Sequence, residues 1–428
     1  MNRREFLKQG AILGSGVWIA GRQTGYGQEK SPNAKVNVGH IGVAGMRGAD
    51  HLGAMSGQNQ VALCDVDEKN LEVGAGKLPK ASKYADFRVM LEKEKGLDCI
   101  VISTPDHIHA PAGVMAMRLG KAVYTEKPMA HTVAEVRLMT ELARKHKVAT
   151  QMGTQIHAGD NYRRVVEKIQ GGAIGKVTEA HVWLGGTQWT ASGQPKEGGP
   201  APAGLNWDLW LGPSEARPYS NRYHPLKWRC YWNFGGGHLA DMGCHYTDLP
   251  FWALKLGHPL SAEAEGPEVD AHGAPPWLVA RYTFPARGDM PPVKLTWYHG
   301  DGKGPQQLLD GKLAGWKGAG VLFVGEKGLL VSNYGAHKLL PEVEFKAPEK
   351  PIPKSLGHHQ EWIEAIRGGA PALCNFDYAG PLAETVLLGN VAYRIGKKLE
   401  WDAASLKATN CPEADRFIRK EYRKGWAL

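Results

Sequence analysis

Residues 235–245 read GGGHLADMGCH. An acid, Asp241, and an imidazole, His245, stand four positions apart, which on a helix puts them on one face with Cβ atoms roughly 5–6 Å apart. Leu239, Met242, Tyr246, Leu249 and Ala253 form a separate apolar face, so the acid and the imidazole point elsewhere, into a cleft. Gly243 leaves room for a close neighbour, the glycine run bends the chain into the helix, and Pro250 kinks or ends it. Histidine titrates near neutrality and suits a base that takes a hydroxyl proton; a carboxylate one turn away orients the ring and stabilises the imidazolium. Far upstream, Lys127 stands in TEKP, where Pro128 holds it extended. Its ammonium is suited to bonding the same oxygen as negative charge develops there. His238, Asp241 and His245 would also offer three metal ligands, but they converge only in part, and no metal is expected.

Alternating apolar runs and helical stretches supply the frame for these groups. The run Val36–Val43 reads as a strand that turns through Gly42, Gly45 and Gly48 into a helix. A second strand ends at Asp65, a third run is followed by a helix over about 107–119, and strand and helix alternate again through "KAVYTEKP" and "HKVATQM". Such alternation predicts a doubly wound parallel sheet, with Lys127 directly after the strand in KAVYTEKP, at the carboxyl edge where ligands bind. Glycines at the first turn let the backbone approach a pyrophosphate at a helix N-terminus. Asp65 is placed to accept hydrogen bonds from ribose hydroxyls, and its charge favours NAD over NADP. The turn departs from the expected spacing: Ala44 takes the middle glycine's place, and one extra residue precedes Gly48.

"GHIGVAGMRG", Asp65, "STPDHIHA", "EKP" and "GGGHLADMGCH" occur in the order and spacing of the glucose–fructose oxidoreductase, inositol dehydrogenase and MocA family, which residues 35–400 resemble. The resemblance implies an N-terminal Rossmann domain and a C-terminal α/β domain with a large open, mostly antiparallel sheet. It also implies hydride transfer between NAD and a secondary hydroxyl of a sugar, cyclitol or glycoside. Lys127, Asp241 and His245 fall on its catalytic positions. Gly42, Ala44, Gly45, Gly48, Asp65, Thr104, Pro105, His109 and Glu126 fall along its cofactor.

Residues 35–152 are thus expected to form the dinucleotide domain, 153–372 the substrate and oligomerisation domain, and 373–428 helices packing back on the first. Gln155, His157, Asn161 and Arg164 follow the last strand of the first domain and are candidates to line the substrate cleft; Trp232, in "KWRCYWNFGGG", is a candidate for stacking on a sugar. The Gly- and Pro-rich stretch 187–207 reads as a long loop, a lid or an arm. Strand-like runs at 278–285, 292–299 and 321–332 suit the second sheet, and a homo-oligomer is expected.

The 428 residues are 43% hydrophobic and 22% charged, with a net charge of +9, which suits folded domains rather than long disorder. Five bases against two acids in residues 1–30 supply +3 of that charge, and no run of five Lys or Arg occurs, which argues against a nucleic-acid partner. The opening RREFLK followed by a short, Gly-rich, mildly apolar stretch resembles a twin-arginine export signal over 1–30, implying contact with that export machinery and a periplasmic location. The six cysteines include no C-x-x-C, so neither a disulfide framework nor a cysteine zinc site is expected. Export sits awkwardly with a diffusible nicotinamide. A cofactor carried out tightly bound and regenerated in place would reconcile them, by oxidising one sugar while reducing another, or by oxidising, eliminating and re-reducing a glycoside. The competing readings are an NAD-dependent glycosidase of that second kind and a non-catalytic cofactor-binding sensor.

Overall fold

The computed structural model describes residues 35–428 apart from 197, 306, 309–312, 314, 315, 343 and 347. The export signal expected over 1–30 lies outside the described residues. The first sheet has six strands in the order β3-β2-β1-β4-β5-β6. They are β1 (Asn37–Ile41), β2 (Asn59–Cys64), β3 (Ser82–Tyr84), β4 (Cys99–Ile102), β5 (Ala122–Thr125) and β6 (Thr150–Met152), all paired parallel. Every residue of β4 (CIVI) is buried, as expected for a strand covered on both faces. The helices between them are α1 (Gly45–Ala54), α2 (Glu68–Lys77), α3 (Phe87–Lys93), α4 (Asp106–Arg118) and α5 (Val133–His146). Strand order reverses beside β1, so the carboxyl ends of β1 and β4 flank the crevice where such folds bind ligands. After Lys127, the chain is fixed by a capping box at α5: Thr132 Oγ1 accepts from Glu135 N, and the Glu135 carboxylate accepts from the amides of Thr132 and His131.

Helix α6 (Asp160–Gln170) leads to the second sheet, nine strands in the order β13-β12-β11-β7-β10-β9-β8-β14-β15. It contains β7 (Val177–Leu184), β8 (Ser261–Glu265), β9 (Leu278–Phe284), β10 (Val293–His299), β11 (Gly320–Gly325), β12 (Gly328–Ser332), β13 (His337–Leu340), β14 (Leu399–Asp402) and β15 (Lys407–Ala408). Only β7 and β10 pair parallel; the other ladders are antiparallel. The run 321–332 is therefore a hairpin rather than one strand, because the polar pair Glu326–Lys327 between two glycines turns the chain. The tail is likewise more than helices: after α9 (Phe376–Ile395), which follows α8 (His358–Ile366), β14 and β15 extend the second sheet.

Helix α7 (Gly237–Ala253) carries Asp241 and His245 and lies between the second sheet and α9. Gly237 opens it with φ +64, and a Cβ there would stand 2.3 Å from Ala274 Cβ; at Gly243 a Cβ would stand 2.8 Å from Val386 of α9. Helix α7 continues through Pro250 to Ala253. Helix α9 also packs on α5 and β6 of the first sheet. Arg137 of α5 forks onto the buried Glu384 of α9 at 2.8 Å through each of two nitrogens, joining the two layers. All six cysteines are buried.

Candidate active site

The glycine-rich turn forms one wall of a cleft. Gly42 has φ +82, and a Cβ there would stand 2.8 Å from Ser103 O; at Gly48 one would stand 2.7 Å from Val43 C. Gly45, also left-handed at φ +67, opens α1, which resolves the irregular spacing: Ala44 is only the N-cap residue. That cap has no side-chain hydrogen bond and the first turn has no acid, leaving amides free for an anion. Gly42, Ala44, Gly45, Asp65, Thr104 and Pro105 all line the cleft. Asp65 is held by the amides of Val43 (3.1 Å) and Asp67 (3.0 Å); burial raises its pKa, and those amides oppose the rise. Ser103 Oγ and Thr104 Oγ1 are buried with no partner among the described residues. Orphaned hydroxyls, an uncapped helix and a turn that excludes Cβ atoms together fit a dinucleotide.

The opposite wall comes from the second domain and the chain's end. Leu209, Trp210, His224, Leu226, Trp228, Arg229 and Trp426 face the glycine turn. This roof is stitched to the first sheet by Glu68 N donating to Gly204 O (2.9 Å) and Asn206 N to Val66 O (2.8 Å). Arg423 ties the tail to the roof, donating to Asp208 Oδ1 (2.6 Å) and Gly212 O (2.5 Å). Trp426 then lies over Arg88, 4.4 Å from its Cζ, beside Phe87.

At the carboxyl end of β5, Lys127 Nζ donates to Asp241 Oδ1 (2.5 Å) and to Asp241 O (2.7 Å). Arg229 Nε reaches the same Oδ1 at 3.3 Å, and Trp189 Nε1 donates to Oδ2 at 2.6 Å. Burial opposes ionisation of Asp241, but the charges of Lys127 and Arg229 and the hydrogen bonds from Lys127 and Trp189 hold it well below the usual carboxylate range. Asp241 therefore anchors Lys127, contrary to the expectation that it orients His245: three donors already occupy its oxygens. His245 is buried, and neither ring nitrogen has a hydrogen bond among the described residues. Burial, then the Lys127 charge, push its pKa down to about 3, so the ring is neutral near pH 7 and its lone pair is open to a hydrogen bond from a substrate hydroxyl. Among the described residues no group of three or more His, Cys, Asp or Glu is arranged to hold a metal.

Glu126 lies beside this cluster. Its Oε1 meets His51 Nε2 (2.9 Å) and Gln155 Nε2 (2.8 Å), while Oε2 is buried without a partner among the described residues. Burial opposes its charge, but the hydrogen bond and charge of His51, with Lys127 and Arg47, keep it well below the usual range. Gln155 thus borders the cluster, whereas the other cleft candidates are engaged elsewhere. His157 is buried, bonded to Asp248 (2.9 Å) and stacked on Trp252 at 4.2 Å. Asn161 bonds Ser332 Oγ, Asn333 O and His337 at the β12–β13 turn, and Arg164 pairs with Glu167 and Ile352 O. Trp232 is buried, with the Arg394 guanidinium over its ring. His109 is corrected too: fully buried between Pro128 O (2.8 Å) and Thr104 O (2.9 Å), it fastens the two loops rather than facing the cleft. Sequence reasoning missed Arg229 and Trp189, which hold Asp241, and Asp106, which burial pushes up to about 8 despite the charges of Arg229 and Lys127. Arg229 lies twelve residues before Asp241 in the Trp-rich "KWRCYWNF", a signal that was available. His238, named only as a metal ligand, is buried beside His299, ring centroids 5.1 Å apart, with both nitrogens unpartnered among the described residues.

A six-stranded 3-2-1-4-5-6 parallel sheet with this turn, joined to an open nine-stranded sheet, defines a dinucleotide-binding protein of two domains. Residues 36–154 match the family model "Oxidoreductase family, NAD-binding Rossmann fold", and residues 173–428 match "Oxidoreductase family, C-terminal alpha/beta domain"; the chain belongs to the Gfo/Idh/MocA oxidoreductase family. A glycosyl hydrolase family 109 protein of Shewanella pealeana is 27% identical over 204 residues, 41% of this chain and 44% of that protein. Inositol 2-dehydrogenase of Salmonella typhimurium is 28% identical over 167 residues, 38% of this chain and 48% of that one. The chain thus spans about half the length of the curated relatives it matches. The fold is shared with the WlbA dehydrogenase of Bordetella pertussis, solved with NADH and UDP-GlcNAcA (TM-score 0.61, 20% identity, 86% of this chain and 99% of that one). It is shared also with myo-inositol 2-dehydrogenase of Lactobacillus plantarum (TM-score 0.56, 18% identity, 86% and 100%).

Proposed function

We propose that this protein is an NAD-dependent oxidoreductase acting on a secondary hydroxyl of a sugar, cyclitol or glycoside. The observation that carries it is the buried Lys127–Asp241 pair beside a neutral His245, on the β5 edge of a sheet whose first turn fits a dinucleotide. Gly42 and Gly45 would hold the pyrophosphate, with Gly48 letting α1 pack closely on the turn, Asp65 would hold the ribose, and Thr104 and Pro105 the path between. NAD bound there supplies the hydride acceptor and returns the hydride in the reverse direction. His245 takes the hydroxyl proton as the carbinol carbon gives up its hydride. Lys127 donates a hydrogen bond to the carbinol oxygen and stabilises its growing negative charge, while Asp241 holds the ammonium in place. The Asp106 carboxyl, protonated at neutral pH, adds no second anion to the cluster.

The roofed cleft favours a more specific form of this reading, in which the cofactor stays bound and the cycle is redox-neutral. A glycoside oxidised at one carbon becomes acidic at the neighbouring C–H; a base removes that proton, the aglycone leaves, water adds, and the ketone is reduced again, giving net hydrolysis. The names of the family 109 relatives agree with that outcome. We further propose export by the twin-arginine route, supported by RREFLK, and an oligomer built on the second sheet. Denaturing protein purified without added cofactor should release NAD or NADH detectable by mass spectrometry; no nicotinamide would contradict the retained-cofactor form. A panel of sugars and glycosides read by NADH fluorescence and by aglycone release tests the reaction itself. Net NADH marks a dehydrogenase, and aglycone without net NADH marks the redox-neutral cycle.

A further inference from the structure

A second cavity of 230 Å³ opens at the N-terminal end of α7, away from the cofactor cleft, bordered by Gly235, Gly236, Asn390, Arg394, Arg416 and Lys420. That volume exceeds by far the ~10–15 Å³ one water needs, so a multi-atom ligand fits. Its charges are unevenly matched. Lys420 pairs with Glu135 at 2.8 Å, and Arg419, also on the rim, pairs with Asp415 at 3.0 Å. The rim carboxylates Glu215 and Glu421 are exposed, and Glu215 pairs with Arg217 at 3.1 Å. Arg394 and Arg416 have neither a carboxylate nor a hydrogen-bond acceptor among the described residues.

Arg394 is nevertheless held in place. Its Cζ lies 4.0 Å from the Phe417 ring centroid and 5.0 Å from that of Trp232, so its plane is fixed while its N–H donors are unused. Arg416 Cζ lies 4.7 Å from the Phe417 ring. A position in the last turn of α9 favours a cation electrostatically but supplies no acceptor to Arg394. Burial and then the Arg416 charge push the Arg394 pKa down to about 10, as expected where positive charge is uncompensated. The second observation is α7 itself. Its N-cap, Gly236, borders the cavity, has no side-chain cap, and is followed by no acid in the first turn. The Gly236 end of the uncapped helix and two guanidinium groups without an acceptor, the half-buried Arg394 and the exposed Arg416, thus border one cavity, and both features favour an anion.

We propose that this cavity binds a phosphate or sulfate group between Arg394, Arg416 and the Gly236 end of α7. The group is carried either by a free inorganic anion or by a saccharide. Bound there, it caps the helix that carries Asp241 about 7.5 Å further along the axis.

Thermal melts of NAD-loaded protein test the proposal, the NAD occupying the glycine turn so that it cannot take the anion. Inorganic phosphate and glucose 6-phosphate are titrated against sodium chloride of matched ionic strength. At saturation at least one should raise the melting midpoint by about 2 °C or more over the chloride control. Arg394→Gln and Arg416→Gln should each weaken that effect about tenfold. Tighter binding of glucose 6-phosphate than of phosphate assigns the site to a saccharide-borne group; equal or weaker binding assigns it to the free anion. No shift beyond chloride, or a shift both variants retain in full, overturns the proposal. Should Arg394→Gln lose its NAD, the wild-type titration and the exposed Arg416 variant decide alone.

Discussion

Replacing Asp241 by asparagine removes a carboxylate that three donors share: Lys127 at 2.5 Å, Trp189 at 2.6 Å and Arg229 at 3.3 Å. The side chains of Lys127 and Asp241 are 9% and 13% exposed, so solvent screens little of the loss. Asparagine keeps one acceptor oxygen and turns an NH₂ group toward a donor, while two cations stay behind in a site of low polarity. Removing one partner of a buried pair costs about 3–5 kcal/mol, and a misplaced oxyanion donor costs about 10²–10³ in kcat. D241N should therefore melt well below the wild type and lose about 10²-fold or more in kcat/KM on any sugar the wild type turns over. The double variant K127M/D241N should melt above D241N, because it leaves one buried cation fewer unpaired, yet be no more active. Melting curves and steady-state kinetics on all three proteins read this directly. If D241N keeps kcat/KM within about threefold, or if the double variant is the least stable of the three, the Lys127–Asp241 pair is not the unit described here.

His245→Gln should lower kcat by about 10²–10⁴, the range for losing a positioned base, and the wild-type pH–rate profile should show no limb near 6.5 that this change removes. Since folding depresses the pKa of His245 to about 3, its contribution to stability is present above the unfolded value of ~6.5 and is lost as pH falls from there toward 3. A melting midpoint in H245Q as acid-sensitive as the wild type's would count against it. Asp106 has the opposite sign. Its folded pKa, raised to about 8, makes it a growing burden as pH climbs from ~3.9, so D106N should gain stability relative to the wild type between pH 6 and pH 9; an equal or smaller gain at pH 9 refutes the assignment. Trp426→Ala should release bound NADH at least about tenfold faster in a fluorescence displacement assay, with near-wild-type melting of the cofactor-free protein; unchanged release would mean the tail does not close the cleft.

The first sheet was readable because its elements are local: short strands of three to six residues, most of them buried, then helices, with the glycine turn marking where they begin. That turn looked irregular in one dimension, since Ala44 fills the middle place; in three, the left-handed Gly45 does the work and the spacing no longer matters. The one-face placement of Asp241 and His245 was legible from helical periodicity. What Asp241 binds was not, because Lys127 is 114 residues away and a carboxylate's choice among donors depends on long-range packing. His157, Asn161 and Arg164 looked like cleft residues because they are polar and follow β6, but they meet Asp248, the β12–β13 turn and Glu167 instead. The roof over the cofactor cleft was invisible for the same reason: Arg423 and Asp208 lie 215 residues apart. The hairpin in 320–332 was hidden by apolar residues on both arms, which mask a two-residue turn.

A crystal structure with NADH and a sugar that the protein turns over measures the central claim most directly. The reacting carbinol oxygen should lie within ~3.5 Å of both Lys127 Nζ and a His245 ring nitrogen, with its carbon facing the nicotinamide ring. A nicotinamide bound away from the β5 edge, or a sugar whose reacting oxygen touches neither side chain, would contradict it.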